Sequence, residues 1–314
     1  MKLRLLEDLQ NNISKVMIGN ERTMKLIITA ILAKGHVLLE DVPGTGKTVL
    51  AKSLARSVHA QFGRIQFTPD LLPSDVTGLN YFDSKKGEFA FRKGPVFCNI
   101  LLADEINRAT PKTQSSLLEC MAEGQVTVDG KTRTLEEPFF VIATQNPLET
   151  LGTFPLPEAQ MDRFFMRIGM ENLTPGQELS MIERFLTDEP LLALKSICGK
   201  EDLVQLQNQC CNIHIHRDLL KYITETVHAT RKHPGIMQGV SPRGTIAFVR
   251  AAQGFAMTEG REYVVPEDIK SVAVPVLSHR LTLSVPAEGV RYEENFILEI
   301  LDSVKVPAEE WDKL

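Results

Sequence analysis

Apolar residues recur along this chain at two spacings, and the change from one to the other divides it. Over 22–34, Leu26, Ile27, Ala30, Ile31 and Ala33 fall on one face of a helix. A short strand candidate follows at 36–39, then a turn rich in Pro and Gly, then a helical pattern over 47–59. Further short apolar runs at 64–68, 99–103 and 139–144 are separated by helical segments. This alternation predicts βαβ units around a central parallel sheet, an α/β fold.

From about residue 172 helix starts dominate. Thr174-Pro175-Gly176-Gln177 has the form of a capping box with proline at the first helical position. Ser241-Pro242 predicts a helix that runs to about Glu259 and stops at Gly260, and Pro266-Glu267-Asp268 opens another. Leu219, Leu220, Ile223 and Val227 form the expected core stripe of one more. The predicted organisation is an α/β core over 1–171, connector helices over 172–212 and a smaller α-helical domain over 213–314. Two hairpins interrupt the core. One, near 81–95, turns at Lys86-Gly87; the other, near 125–135, turns at Asp129-Gly130, a strong hairpin signal.

The densest chemical signal is Asp41-Val42-Pro43-Gly44-Thr45-Gly46-Lys47-Thr48, set between a strand and a helix. Gly44 and Gly46 let the backbone wrap a phosphate without Cβ clashes, and the helix N-terminus adds partial positive charge. Lys47 is placed to reach the β- and γ-phosphates of ATP and Thr48 to ligate Mg²⁺. Pro43, Thr45 and Val49 complete the expected nucleotide contacts of this stretch. The usual phosphate-loop pattern has glycine at position 41, where this chain has Asp41. Downstream, Asn99-Ile100-Leu101-Leu102-Ala103 is an apolar strand that ends in Asp104-Glu105. Asp104 is the candidate Mg²⁺ ligand, and Glu105 the candidate general base for an attacking water. A third apolar run ends in Gln145-Asn146-Pro147, which puts an amide where the proline stops the strand.

Composition narrows the picture. Lys plus Arg is 35 and Asp plus Glu is 40, a net charge of −5, so a broadly basic nucleic-acid coat is excluded. Hydrophobic residues make up 43%, enough for a sizeable core, yet no run approaches the roughly 18 residues of a membrane span. Five cysteines without a CxxC spacing, and no signal-like leader, point to a reducing compartment and a cytoplasmic protein. Cys210-Cys211-Asn212-Ile213-His214-Ile215-His216 lacks the second ligand pair a metal site needs.

The text around these motifs is more specific than the motifs. Leu102-Ala103-Asp104-Glu105-Ile106-Asn107-Arg108-Ala109, then Pro111-Lys112-Thr113-Gln114 and the run from Leu117 to Thr127, resemble the MoxR family of AAA+ ATPases. The resemblance extends from Ile18-Gly19-Asn20 to Val276-Leu277-Ser278-His279-Arg280. In that family the phosphate loop often carries Asp where other families have Gly. The resemblance implies a P-loop AAA+ core, a C-terminal helical lid, and a ring of identical subunits, most often six. It implies that Ile18 and Gly19 contact the nucleotide and that Asn146 senses the γ-phosphate. Asp162-Arg163-Phe164 resembles the segment carrying an arginine finger directed at the neighbouring subunit's ATP, with Arg167, one helical turn on, as the other candidate. Arg243 resembles a second sensor on the lid; a basic residue in a first helical turn runs against the helix dipole, which agrees with a functional reason. Family members are chaperone-like factors that mature protein complexes or insert cofactors, often with von Willebrand A-domain partners. A nucleic-acid-linked motor and a nucleotide-gated scaffold with negligible turnover stay open as other readings.

Overall fold

The structure is a computed structural model that describes residues 2–40, 44–147, 152–170, 172–187, 189–284 and 292–307. Five parallel strands form the central sheet: β1 (Val37–Glu40), β2 (Phe62–Gln66), β3 (Ile100–Asp104), β4 (Phe140–Gln145) and β5 (Met166–Gly169). Their spatial order is β2-β3-β4-β1-β5. The middle strands are buried on both faces, which is why they read as unbroken apolar runs and not as alternating ones.

The sheet separates two apolar cores. On one side Val37, Leu39, Ile100, Leu102 and Ile142 pack with the helices Glu21–Leu32 and Lys47–Ser57 and with the C-terminal helices. On the other, Leu38, Leu101, Ala103 and Val141 pack against Leu117, Leu118 and Met121 of the helix Pro111–Glu123. His36 ties this second layer together. Its Nδ1 accepts from the Val141 N–H at 3.1 Å, so Nε2 carries the proton and donates to the Met121 carbonyl at 3.0 Å.

Parallel register brings the strands' carboxyl ends to one edge. Gln66 pairs with Asp104, and Glu40 pairs with Gln145 on one side and Gly169 on the other. Residues separated by tens of positions in sequence are thereby collected where α/β sheets bind ligands.

The two hairpins span Gly78–Asp83 with Glu88–Lys93, and Gln125–Val128 with Lys131–Thr134. The second turns through Asp129 and Gly130, both at positive φ, as a tight Asp-Gly turn requires. They lean on each other: Asn80 Nδ2 donates to Asp129 Oδ2 at 2.7 Å, and the Arg133 guanidinium lies 3.7 Å from the Phe91 ring centre.

Beyond residue 172 the chain is mostly helical, with helices at Pro175–Thr187, Lys200–Cys210, Arg217–Lys232, Pro242–Thr258, Pro266–Leu277 and Glu293–Ser303. Pro242–Thr258 lies against Glu21–Leu32 so closely that a Cβ on Gly254 would stand 2.9 Å from the Thr29 carbonyl oxygen. In Arg217–Lys232, Leu219, Ile223 and Val227 are buried, but Leu220 is 40% exposed and does not belong to the core stripe. Among the described residues no helix is long and apolar enough to cross a membrane.

Candidate nucleotide site

Gly46 caps the helix Lys47–Ser57 in the left-handed conformation at φ +89, and Gly44 is at φ +91. An L side chain at either position would be strained, so the two glycines shape the loop. The first N–H groups of that helix open onto a cavity of about 290 Å³. Gly44, Thr45, Gly46, Lys47 and Thr48 form one wall, and Asp104, Glu105 and Asn146 face them. Eight of the residues singled out from the sequence therefore meet in one space. Pro43 lies outside the described residues.

A second cavity, about 750 Å³, shares Gly44, Thr45 and Gly46 with the first and is mostly apolar. Ile18 and Val49 line it, joined by Met17, Leu173, Met181 and Phe185. Gly19 turns the chain beside it at φ +72, where a Cβ would come within 2.7 Å of Leu173. The glycine loop thus divides a small polar chamber from a larger apolar one, a division that matches the phosphates and the base of a nucleotide.

Four residues that the sequence did not single out organise the acids. Thr144 on β4 bridges them: its hydroxyl donates to Asp104 Oδ1 at 2.7 Å and accepts from the Glu105 N–H at 2.9 Å. Arg64 on β2 donates to Asp104 Oδ2 at 2.7 Å. Glu105 Oε2 accepts from Gln66 Nε2 at 2.9 Å and forms an ion pair with Arg108, whose Nε lies 2.9 Å away. Glu105 also has φ +56, a left-handed backbone that a non-glycine residue adopts at a cost of about 1 kcal/mol or more. The alternating polar positions of β2 carry a visible signal for Arg64 and Gln66, but only the register with β3 shows what they touch.

Thr48 and Asp104 supply hard oxygen donors on opposite walls of the polar chamber, a set suited to Mg²⁺. Among the described residues no cluster of three or more His, Cys, Asp or Glu could hold an ion alone.

The two candidate fingers part company. Helix Glu158–Met161 ends before either, and Arg167 lies on strand β5, so the two do not share a helix face. Arg167 is 9% exposed, with its Nε 3.6 Å from Glu40 and one Nη 3.2 Å from Glu293, which commits it inside its own chain. Hydrophobic spacing alone does not predict β5, because the strand is only four residues long and carries the half-buried Arg167. Arg163 is half-buried and donates to the Leu118 carbonyl at 3.2 Å. Arg243 is exposed in the first turn of its helix, and neither it nor Arg163 lines the two cavities.

A family model for the ATPase family associated with various cellular activities (AAA) matches residues 36–166, and one for the AAA lid domain matches 228–299. The Mycobacterium tuberculosis protein named Chaperone MoxR1 is 39% identical over 305 residues, 94% of this chain and 80% of that protein. The chain belongs to the MoxR family of AAA+ ATPases. It is also similar to the Bacillus subtilis protein YeaC, 49% identical over 300 residues, which cover 95% of this chain and 93% of that one. A crystal structure from Cytophaga hutchinsonii superposes with a TM-score of 0.89 at 39% identity, covering 98% of this chain and 96% of the other. The P-loop core with a helical lid is therefore the fold of this MoxR ATPase, and the molecule binds and hydrolyses ATP.

Proposed function

We propose that this MoxR ATPase works as a ring, most simply a hexamer, that spends ATP to remodel a client protein during maturation of a complex or insertion of its cofactor. The observation that carries the site reading is the polar chamber in which the glycine loop, Lys47, Thr48, Asp104, Glu105 and Asn146 converge. The chaperone name of a relative 39% identical supports the remodelling part.

In this reading Lys47 pairs with the β- and γ-phosphates, and Asn146 holds the water or the γ-phosphate in line. Glu105 takes a proton from the attacking water as its oxygen bonds to the γ-phosphorus and the bridging oxygen leaves with ADP. Thr48 and Asp104 would hold Mg²⁺, which neutralises charge between the phosphates. Arg243 reaches the phosphates from the lid, and Arg163 does so from the adjoining subunit. The client is a protein, in company with a von Willebrand A-domain partner, and the net charge of −5 weighs against nucleic acid.

The test is a nucleotide-dependent trap. Rings of the Glu105→Gln variant with ATP should retain a defined client that Lys47→Ala rings do not hold and wild type releases on hydrolysis. Identical retention by all three, or ATPase stimulation by DNA that fades with salt, contradicts the remodelling function.

A further inference from the structure

We propose that Asp162 and Arg280 are positioning residues for Arg163, so that the finger a subunit offers its neighbour is set by its own lid. The inference rests on the reading of Arg163 as a finger acting in trans.

Arg280 lies in the helical turn Ser278–Arg280 that follows the lid helix Pro266–Leu277. Its side chain is only 3% exposed. Nε donates to Asp162 Oδ1 at 2.8 Å, one Nη donates to the Phe164 carbonyl at 2.6 Å, and the other to the Phe165 carbonyl at 3.3 Å. The Nη that meets Phe164 also reaches the Asp162 carbonyl at 3.4 Å. One lid guanidinium therefore grips the chain on both sides of Arg163. Only a planar fork with five donors can do this; an ammonium on a flexible stem cannot.

The same aspartate touches the sensor helix. Asp162 Oδ2 accepts from the Ser241 hydroxyl at 3.4 Å, and Ser241 caps the helix that carries Arg243 two residues later by accepting from the Gly244 N–H at 3.2 Å. Gly244 packs directly on Arg280, where a Cβ would meet its Cδ at 2.8 Å. Asp162, Arg280 and the start of the Arg243 helix thus form one joint between core and lid. A lid rotation that carries Arg243 toward the phosphates must drag Asp162 or break its contacts. A charge as buried as Arg280 resists losing its partner, so the segment carrying Arg163 moves with the lid.

The experiment separates a positioning role from a structural one by asking which side of an interface needs Asp162. Lys47→Ala subunits can donate only a finger and Arg163→Ala subunits only a loop, so mixed rings are active where the two meet in the right order. Asp162→Asn is then added to one partner at a time, with ring assembly followed by light scattering and ATPase by phosphate release. We expect at least a tenfold loss when Asp162→Asn sits on the finger donor, since about 1 Å of misplacement can cost about 10²-fold. On the loop donor, whose finger is already gone, we expect a clearly smaller loss, because only the 3.4 Å Ser241 contact beside its own Arg243 helix is at stake. Equal losses on both sides, or none on the finger side, overturn the proposal. If Asp162→Asn rings fail to assemble, the double variant Asp162→Asn with Arg280→Gln, which removes the buried charge as well, takes its place in the same two arms. If the parent mixture shows no activity at all, it is the trans finger that fails, a result distinct from either outcome above.

Discussion

Replacing Glu105 by glutamine isolates the chemical step from binding, and the structure gives the size of each effect. The amide keeps the side chain's length and can still meet Gln66, 2.9 Å away, but it cannot take a proton from water. Removing a positioned general base lowers turnover by roughly 10²–10⁴-fold. The folded state should barely notice. The Arg108–Glu105 pair is 38% and 31% exposed, so losing it costs under about 1 kcal/mol. The left-handed backbone at Glu105 and its N–H bond to Thr144 are unaffected by the exchange. Affinity for ATP rests on the glycine loop and Lys47 across the chamber and should stay within a few-fold of wild type. The assay is steady-state phosphate release beside equilibrium titration with a fluorescent ATP analogue. If affinity and turnover fall together, Glu105 is holding the site in shape and is not the base.

Other outcomes follow from the same contacts. Lys47→Ala should abolish binding of the fluorescent analogue while circular dichroism stays unchanged, and undiminished binding would refute the loop assignment. Burial pushes the thiols of Cys98, Cys120 and Cys210 up to about 12, whereas Cys211 is exposed. A thiol reagent at pH 7.5 should therefore label Cys211 first in the native protein; mass spectrometry that finds fast label on Cys98 or Cys120 contradicts the packing. Burial holds His36 neutral, down to about 4 from an ordinary 6.5, so the unfolded chain binds the extra proton. Its share of stability is complete above pH 6.5 and shrinks as pH falls toward 4, by about 3 kcal/mol across that window. Denaturant titrations of wild type and His36→Gln should show a shallower acid loss in the variant, and parallel curves would refute the assignment.

The strands and the phosphate loop were legible because each depends on local pattern. Apolar runs flanked by turns mark β1, β3 and β4, and a strand followed by Gly-x-Gly-Lys-Thr needs no distant residue to make sense. Legibility failed where a role depends on register or on two elements meeting. Thr144 looks like an ordinary strand residue until its hydroxyl is seen between Asp104 and the Glu105 N–H. Arg280 stood at the end of family-like text with no role, because its partners Asp162, Phe164 and Phe165 are more than a hundred positions away. Arg167 resembles a finger only if a helix continues through it, and a four-residue strand with a buried ion pair cannot be read from spacing alone.

Whether each active site is shared between two subunits is the central mechanistic question, and mixing two dead variants measures it directly. Lys47→Ala and Arg163→Ala should each be inactive alone. In randomly exchanged equimolar rings an intact loop meets an intact neighbouring finger at roughly a quarter of interfaces, so ATPase activity should return, peaking near equal mixing. Well-exchanged mixed rings that remain at the inactive baseline, or an Arg163→Ala protein that hydrolyses ATP normally by itself, would contradict it.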